Sequence, residues 1–453
     1  MERHECQNAC CNAHLGEVLR VPVSYRPNIL LTLFDSLSAV DSGLPGPSTG
    51  TPALSGLAQV SASFTSTYAP CPESSPARAS LFTGLDPCVH GLWTNGVKLP
   101  PSERTFPEIL AQAGYATWLV GRRQLAGVAN WTTEHIREDE FAHVEWAHGP
   151  LHRSRQNAYL TWLQQNASEC YARIFASQPN ADDTKATSEQ SEAISELPDD
   201  LSFNHWVGER VRDLMTSHPS DQPFLAVAGF SVGSSMGAEP PQDHDCESLS
   251  ERALQQADSA LERILDQLVA SDRAEDTVVF VTAGRGNVVS GAKADPMNER
   301  SITVPLLMRR AGLERQIVDA PVSTMDIAPT ILDVAGLPIV PRMQGKSLIG
   351  VLSGSRAPRG WAMSRLRRGS SSQVRNWQTA LRANNLKLVV CHGATRGAIP
   401  ATYRLFDLDA DPNELENLAG KEAHAADLED MIDQMIDARC ALEDRTEPRI
   451  AEF

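Results

Sequence analysis

The six residues Ile29-Leu30-Leu31-Thr32-Leu33-Phe34 run on without the polar alternation that a half-solvated strand requires. A segment of that length and character fits a strand buried on both faces, as in the middle of a parallel sheet. Ala116 to Val120, Phe224 to Ala228 and Thr277 to Thr282 share it, and helical patterns lie between them. One such pattern covers about 252 to 269, where Leu254, Ala257, Leu261, Ile264, Leu265 and Leu268 recur every three or four residues and form one apolar stripe. Strand and helix in alternation predict an open α/β sheet, mixed but mostly parallel, with helices on both faces. Functional groups in such a fold gather beyond the carboxyl ends of the strands.

At 453 residues the chain exceeds one such core, and a second, smaller unit is expected. Thr379 to Arg382, Leu386 to Val390 and Tyr403 to Asp407 read as strands, followed by a helix near 424 to 442 with Leu428, Met431, Ile432, Met435 and Ile436 on one side. The expected division is a tail over 1–25, a large α/β domain over 26–352, a linker over 353–372 and a small α+β domain over 373–453. The acidic, Ser- and Thr-rich stretch 180–200 has too little apolar surface to offset its ordering entropy and is expected to be a mobile insertion. The run Arg365-Leu366-Arg367-Arg368 reads as part of a solvated linker, with a basic binding loop as the other reading.

A formal net charge of −17 repels polyanions and argues against a nucleic-acid partner; a small anion would need a local cluster of arginines. Nine cysteines, odd in number and scattered, do not form a disulfide framework and favour a reducing compartment. Cys6, Cys10 and Cys11 with His4 and His14 match no usual zinc spacing, which leaves a flexible tail as the plainer reading. No signal-peptide run opens the sequence and no stretch approaches the roughly 18 apolar residues of a membrane span. A cytoplasmic protein without a membrane partner is therefore expected; the oligomeric state is not legible.

Four stretches carry a family resemblance, in matching order and spacing. The first is Arg26-Pro27-Asn28-Ile29-Leu30-Leu31 leading to Asp35. The second is Ser74-Ser75-Pro76-Ala77-Arg78 through Thr83-Gly84, with Thr105-Phe106-Pro107 and Ala113-Gly114-Tyr115. The third is Met325-Asp326-Ile327-Ala328-Pro329-Thr330 with Met343-Gln344-Gly345-Lys346-Ser347-Leu348, and the fourth is Leu405-Phe406-Asp407-Leu408-Asp409 with Asp411-Pro412-Asn413-Glu414. Together they resemble the formylglycine-type sulfatases. That resemblance implies an alkaline-phosphatase-like α/β domain with a small C-terminal sheet domain, and sulfuric ester hydrolysis as the family's chemistry.

In that family the nucleophile is a formylglycine made from Cys or Ser in Cys/Ser-x-Pro-x-Arg, a pattern that Ser74, Pro76 and Arg78 fit. Conversion of Ser74 requires a Ser-type maturation enzyme. Pro76 suits the first turn of a helix and Ser75 its cap, and a helix N-terminus offers amides and a positive dipole end to a sulfate. Ala77 and Leu85 stand where the family has Ser and Arg. The family's calcium lies between two adjacent Asp after the first strand and an Asp with Asn or His after a later one. Here Asp35 is the only surviving ligand position: Ser36 follows it, Gly284 and Arg285 fill the later places, and Asn287 is displaced from them.

Calcium takes six to eight oxygens, several of them charged, so no metal is expected unless the family site still works. Arg285 would then place its guanidinium where the cation sits and pair with Asp35, or else point to solvent. The family's Gly-Lys-Trp-His resembles Gly121-Arg122-Arg123-Gln124, in which Arg122 keeps a charge for the sulfate but Gln124 cannot shuttle a proton. The Pro-His pair is missing from Ser231 to Met236, and His244 reads as a surface residue. Lys293 falls near the family's last lysine, as an anion ligand or a surface residue.

Ser74, Arg78 and Arg122 are thus the candidate catalytic residues, and Arg123, Gln124, Arg285 and Lys293 the candidate binding residues. The functional expectation is a sulfatase-fold protein that is weak or inactive as a hydrolase and keeps an arginine-lined pocket for a small sulfated or other oxyanionic ligand. The alternative is a working hydrolase using Ser74 as formylglycine.

Overall fold

The computed structural model describes residues 26–46, 48, 50–127, 132–176, 188–232, 246–287, 295–368, 376–393 and 401–443. Strands β1 to β5 are Asn28–Phe34, Ala62–Phe64, Thr67–Tyr68, Ala116–Gly121 and His143–Trp146. Strands β6 to β10 are Phe224–Phe230, Thr277–Ala283, Leu306–Arg309, Gln316–Val318 and Val322–Ser323. Strands β11 to β14 are Trp361–Arg368, Asn376–Ala383, Leu386–His392 and Thr402–Asp407.

The central sheet runs β5-β4-β6-β1-β7-β8-β2-β9. The five strands β5 to β7 in that order are mutually parallel, and β8 is antiparallel to both its neighbours. Its middle strands are the continuous apolar runs of the sequence because both their faces are covered. Alternate residues of β1 enter opposite cores: Leu30 and Phe34 meet Trp206, Val211 and Leu261 from the helices Phe203–Ser217 and Cys246–Ala270. Ile29, Leu31 and Leu33 belong to the other core with Leu81, Phe106 and Ile331. That division is the period-two side-chain alternation of a strand.

Register then assembles the site. Phe34 lies opposite Phe230 on one side and Ala283 on the other, so Asp35, Ser231 and Gly284 leave the sheet level with one another. Gly121 ends β4 at φ +89°, and a Cβ there would stand 2.3 Å from the Gly229 carbonyl oxygen; only glycine lets the chain turn so close to β6 and deliver Arg122.

The strands β11-β12-β13-β14 form an antiparallel meander. One face packs Met363, Leu381, Leu388 and Leu405 against Met431, Met435 and Leu442 of the helix Ala425–Glu443. The other sets Ala362, Leu366, Ala380 and Val389 against Tyr68, Met297 and Ile302 of the large domain. Ile436, expected on the apolar side of that helix, is 53 % exposed.

Two soft segments of the sequence reading are corrected. Residues 361–368 are no linker but the edge strand β11, whose main chain bonds the Pro70 carbonyl through the Arg365 amide at 2.8 Å. Arg365 is 3 % exposed between Asp86 and Glu443, and Arg367 lies over the rings of Trp93 and Trp377, so partners absorb the charge that suggested solvent. Of the 180–200 stretch, Ser188–Ser195 is a helix and Asp199–Leu201 a 3₁₀ turn, with Ala193 and Leu197 buried in the core. Among the described residues no helix is long and apolar enough to cross a membrane.

Candidate oxyanion site

Ser74 opens the helix Ser74–Thr83, all ten residues of which are buried. Glu73, not Ser75, is the N-cap residue. The Ser75 amide donates to Asn95 Oδ1 at 2.9 Å, while Glu73 Oε2 accepts from the Thr94 hydroxyl at 2.8 Å and the Asn95 amide at 2.9 Å. Pro76 sits within the first turn, where an absent N–H costs nothing. The Ser75 amide is thus already engaged, and the helix offers an anion its dipole more than its donors.

The arginines divide the work around Ser74. Arg285 Nε donates to Ser74 Oγ at 2.9 Å, and its Nη1 donates to the Gly286 carbonyl at 2.9 Å. Burial lowers the Arg285 pKa, an effect that the nearby Asp35 charge partly offsets and Arg122 reinforces. Asp35 is 2 % exposed, and Arg122, not Arg285, is its ion-pair partner. Asp35 Oδ2 accepts from Arg122 Nη1 at 2.6 Å and Ser231 Oγ at 3.1 Å, and Oδ1 accepts from the Val232 amide at 2.9 Å. Both oxygens of the one surviving ligand carboxylate therefore hold donors.

Arg78 is completely buried and donates Nη1 to the carbonyls of Arg122 and Arg123, each at 3.0 Å. Its Nε and Nη2 have no partner among the described residues. Desolvation, with repulsion from Arg122, lowers its pKa to about 9. A Cβ at Gly284 would stand 2.7 Å from Arg78 Nε, which gives a physical reason for glycine at the place of the family's second acid. The loop beyond β1 closes with Ser36 Oγ 3.0 Å from both the Gly286 carbonyl and Asn287 Oδ1, and Asn287 Nδ2 bonds Asp41 at 2.7 Å.

This donor set does not suit a divalent cation. At the family's metal position stand one saturated carboxylate and the guanidiniums of Arg122 and Arg285, with Arg78 behind them, and among the described residues no three His, Cys, Asp or Glu side chains cluster in a way that could hold a metal.

Two expected ligands take other places. Arg123 is 5 % exposed and bonds Glu134 at 3.0 Å, Glu140 and the His135 carbonyl, so it clamps the loop after β4 and is not free for a ligand. Lys293, with His244, lies outside the described residues. Gln124, at φ +65°, donates its main-chain N–H to Glu134 Oε2 at 2.8 Å and lines a cavity of about 480 Å³ with Ser75, Asn95 and His148.

His148, which follows β5, is a site residue that the sequence reading missed. Its Nε2 lies 3.0 Å from Arg122 Nη2. A guanidinium only donates, so Nε2 accepts and the proton of the neutral ring sits on Nδ1. Desolvation, then Arg122, His152 and Arg78, holds its pKa well below the ordinary value. The signal was its position two residues beyond Trp146, at the carboxyl end of a parallel strand, where this fold class places functional groups.

The Sulfatase family model matches residues 27–337, and the N-sulphoglucosamine sulphohydrolase C-terminal model matches 294–441. The chain is 26% identical over 357 residues to an ulvan-active sulfatase of Formosa agariphila, covering 71% of this chain and 64% of that protein, and so spans under two thirds of its length. It is 26% identical to a choline-sulfatase of Rhizobium meliloti over 443 residues, covering 87% of this chain and 82% of that one. In fold it is similar to a phosphonate monoester hydrolase of Agrobacterium radiobacter, with a TM-score of 0.72, 20% identity, and coverage of 93% of this chain and 97% of the other. A family model covering more than half of the sequence, over the strands and the helix that build this site, establishes that the chain belongs to the sulfatase family.

Proposed function

We propose that this chain binds a small sulfate ester or a related oxyanion in an arginine-lined pocket without a metal, and that it is weak or inactive as a sulfuric ester hydrolase. The observation that carries the reading is the bond from Arg285 Nε to Ser74 Oγ at 2.9 Å, beside an Asp35 already paired with Arg122 at 2.6 Å. Guanidinium supplies the positive charge at the nucleophile's position, and planar N–H donors suit tetrahedral oxyanions. Arg78, with two unpartnered donors, adds to that field from behind. Proton transfer is the weak point: Gln124 has no proton to exchange near neutrality, and His148 is neutral with its Nε2 lone pair held by Arg122. General acid–base catalysis is worth roughly 10²–10⁴-fold, so its loss alone leaves little turnover.

The second reading is a working hydrolase with Ser74 as formylglycine. It is favoured by the retention of Pro76 and Arg78 around a buried serine at the head of the helix. Peptide mass spectrometry of Ser74 from native cells, with metal analysis and turnover of 4-nitrophenyl sulfate, separates the two. The proposal expects unmodified serine, no stoichiometric calcium, no thermal stabilisation by calcium, and binding of inorganic sulfate that Arg285→Gln weakens at least tenfold. Loss of two hydrogen atoms at Ser74 together with bound calcium and turnover that Ser74→Ala abolishes would overturn it.

A further inference from the structure

A second cavity, of about 610 Å³, lies at the far end of the helix that begins at Ser74. Ten helical residues rise about 15 Å, which separates it from the oxyanion site. At that end the amides of Gln344 and Gly345 both donate to the Gly84 carbonyl at 3.0 Å, and the Met343 side chain packs against Gly84. The segment 341–359 forms most of the wall, and Trp361 of β11 and Leu442 of the last helix close it from the small domain.

The charge of this cavity runs against that of the molecule. On a chain with a formal net charge of −17 it is lined by Arg342, Lys346, Arg356 and Arg359 against one carboxylate, Asp326. Arg359 Nη2 takes Asp326 Oδ1 at 2.6 Å, and Arg342 is matched by Glu103 at 2.7 Å. Asp326 is further committed to the amides of Ser323 and Lys346 at 2.9 and 2.7 Å. The Arg356 side chain bonds the Ser347 carbonyl, and neither it nor Lys346 has a carboxylate partner among the described residues. Arg359 stacks over the Trp361 ring at 4.9 Å, and its Nη1 is buried with no partner among the described residues. Beside these cations the wall is apolar, from Val89, Met343, Leu348, Val351, Trp361 and Leu442.

Two uncompensated cations and an orphaned guanidinium N–H beside an apolar wall define a ligand with an anionic head and an apolar body. We infer that this cavity is a second binding site, separate from the Ser74 pocket, for a small amphipathic organic anion. The head group sits between Lys346, Arg356 and Arg359 Nη1, and the body lies along Leu348, Val351 and Trp361. A polyanion is disfavoured by the chain's formal net charge of −17.

Isothermal titration of the full chain with sodium hexanesulfonate, which cannot be hydrolysed as an ester, tests the inference. Binding is expected in wild type and in Arg285→Gln alike, and at least tenfold weaker in Lys346→Gln/Arg356→Gln, two exposed positions whose loss leaves the core intact. Val351→Trp, which fills the cavity and keeps its charges, is also expected to weaken it at least tenfold. Inorganic sulfate and hexan-1-ol, each lacking half of the recognition, are expected to bind at least tenfold more weakly than hexanesulfonate. Absence of binding to wild type, equal affinity in the double variant, or loss in Arg285→Gln alone would each overturn the second site. Hexan-1-ol binding as tightly as hexanesulfonate would reduce it to an apolar crevice without anion selectivity.

Discussion

Gly284 and Arg78 are best understood as a pair. The Arg78 guanidinium fills the space next to residue 284, and the arginine is fully buried with two of its nitrogens unpartnered among the described residues, so it has nowhere cheap to move. A methyl group at 284 would press on Nε from 2.7 Å, and overpacking of this kind costs about 1 to 3 kcal/mol. Gly284→Ala is therefore expected to lower the urea midpoint by that amount with an unchanged slope, and a neutral result would mean that Arg78 is mobile. Asp35 behaves differently, because its role is charge compensation. Asp35→Asn takes from the buried Arg122 the carboxylate that it meets at 2.6 Å, and removing one member of a buried pair costs about 3 to 5 kcal/mol. Asp35→Asn/Arg122→Met is expected to recover a large part of that loss in thermal melts, whereas a metal-bearing site would lose stability in both variants. Spacing singled out Ser74, Asp35, Arg122 and Arg285, which lie in mutual contact or influence, whereas Gln124 lines the neighbouring cavity with Ser75, Asn95 and His148. Which arginine meets which carboxylate was not legible from it: the Asp35 partner depends on strand register, and Arg123 is consumed by Glu134 and Glu140 from a loop that carries no motif. His148 escaped because the family's histidines stand elsewhere along the chain.

The helix that begins at Ser74 is also anchored by an imidazole at the level of whole elements. His90 ends the short helix Pro87–His90 that comes next in the chain; the Leu92 amide donates to its Nδ1 at 3.1 Å, so its proton is on Nε2 and donates to Ser80 Oγ at 3.0 Å. Burial, the largest influence, lowers its pKa from 6.5 to about 3. The unfolded chain thus binds the proton more readily than the folded one. The stability contributed by this group is fully present above about pH 6.5 and is lost as pH falls toward the folded value. Melting temperatures measured between about pH 6.5 and 5, above most carboxylate titrations, are expected to fall in wild type and to fall less in His90→Gln, although the variant starts lower. Equal slopes would show that His90 is free to protonate in the folded state. At this scale the long central strands could be read because two covered faces leave an unbroken apolar run. Strands β2, β3, β9 and β10 span two or three residues, too few to display a period, and β11 was hidden by arginines whose counter-ions and rings come from distant sequence.

Buried charge crosses the boundary between the two domains. Lys387 on β13 is completely buried, 2.9 Å from Glu299 of the large domain and 2.7 Å from Glu414 of the small one, while the Tyr68 hydroxyl donates to Glu299 at 2.8 Å. Burial raises the Glu414 pKa, an effect that the Glu299 charge reinforces and Lys387 opposes, so the two carboxylates depend on the lysine between them. Arg404 with Asp295, and Arg365 with Asp86, cross the same boundary, and one face of the small sheet packs on Tyr68, Met297 and Ile302. Unfolding either domain would strand these groups in the other, so the intact chain is expected to unfold in a single urea transition seen alike by tryptophan fluorescence and far-UV circular dichroism. Lys387→Ala leaves two part-buried carboxylates facing each other without the lysine and is expected to cost about 3 kcal/mol. Because the damage lies at the boundary, that variant is also expected to separate the two probes, with the small domain melting first. Lys387→Met/Glu299→Gln/Glu414→Gln, which removes the charges together, is expected to restore one transition at near wild-type stability. Coincident transitions in Lys387→Ala, with no loss of midpoint, would instead mean that apolar packing at the boundary carries the coupling and that the ion triad contributes little to it.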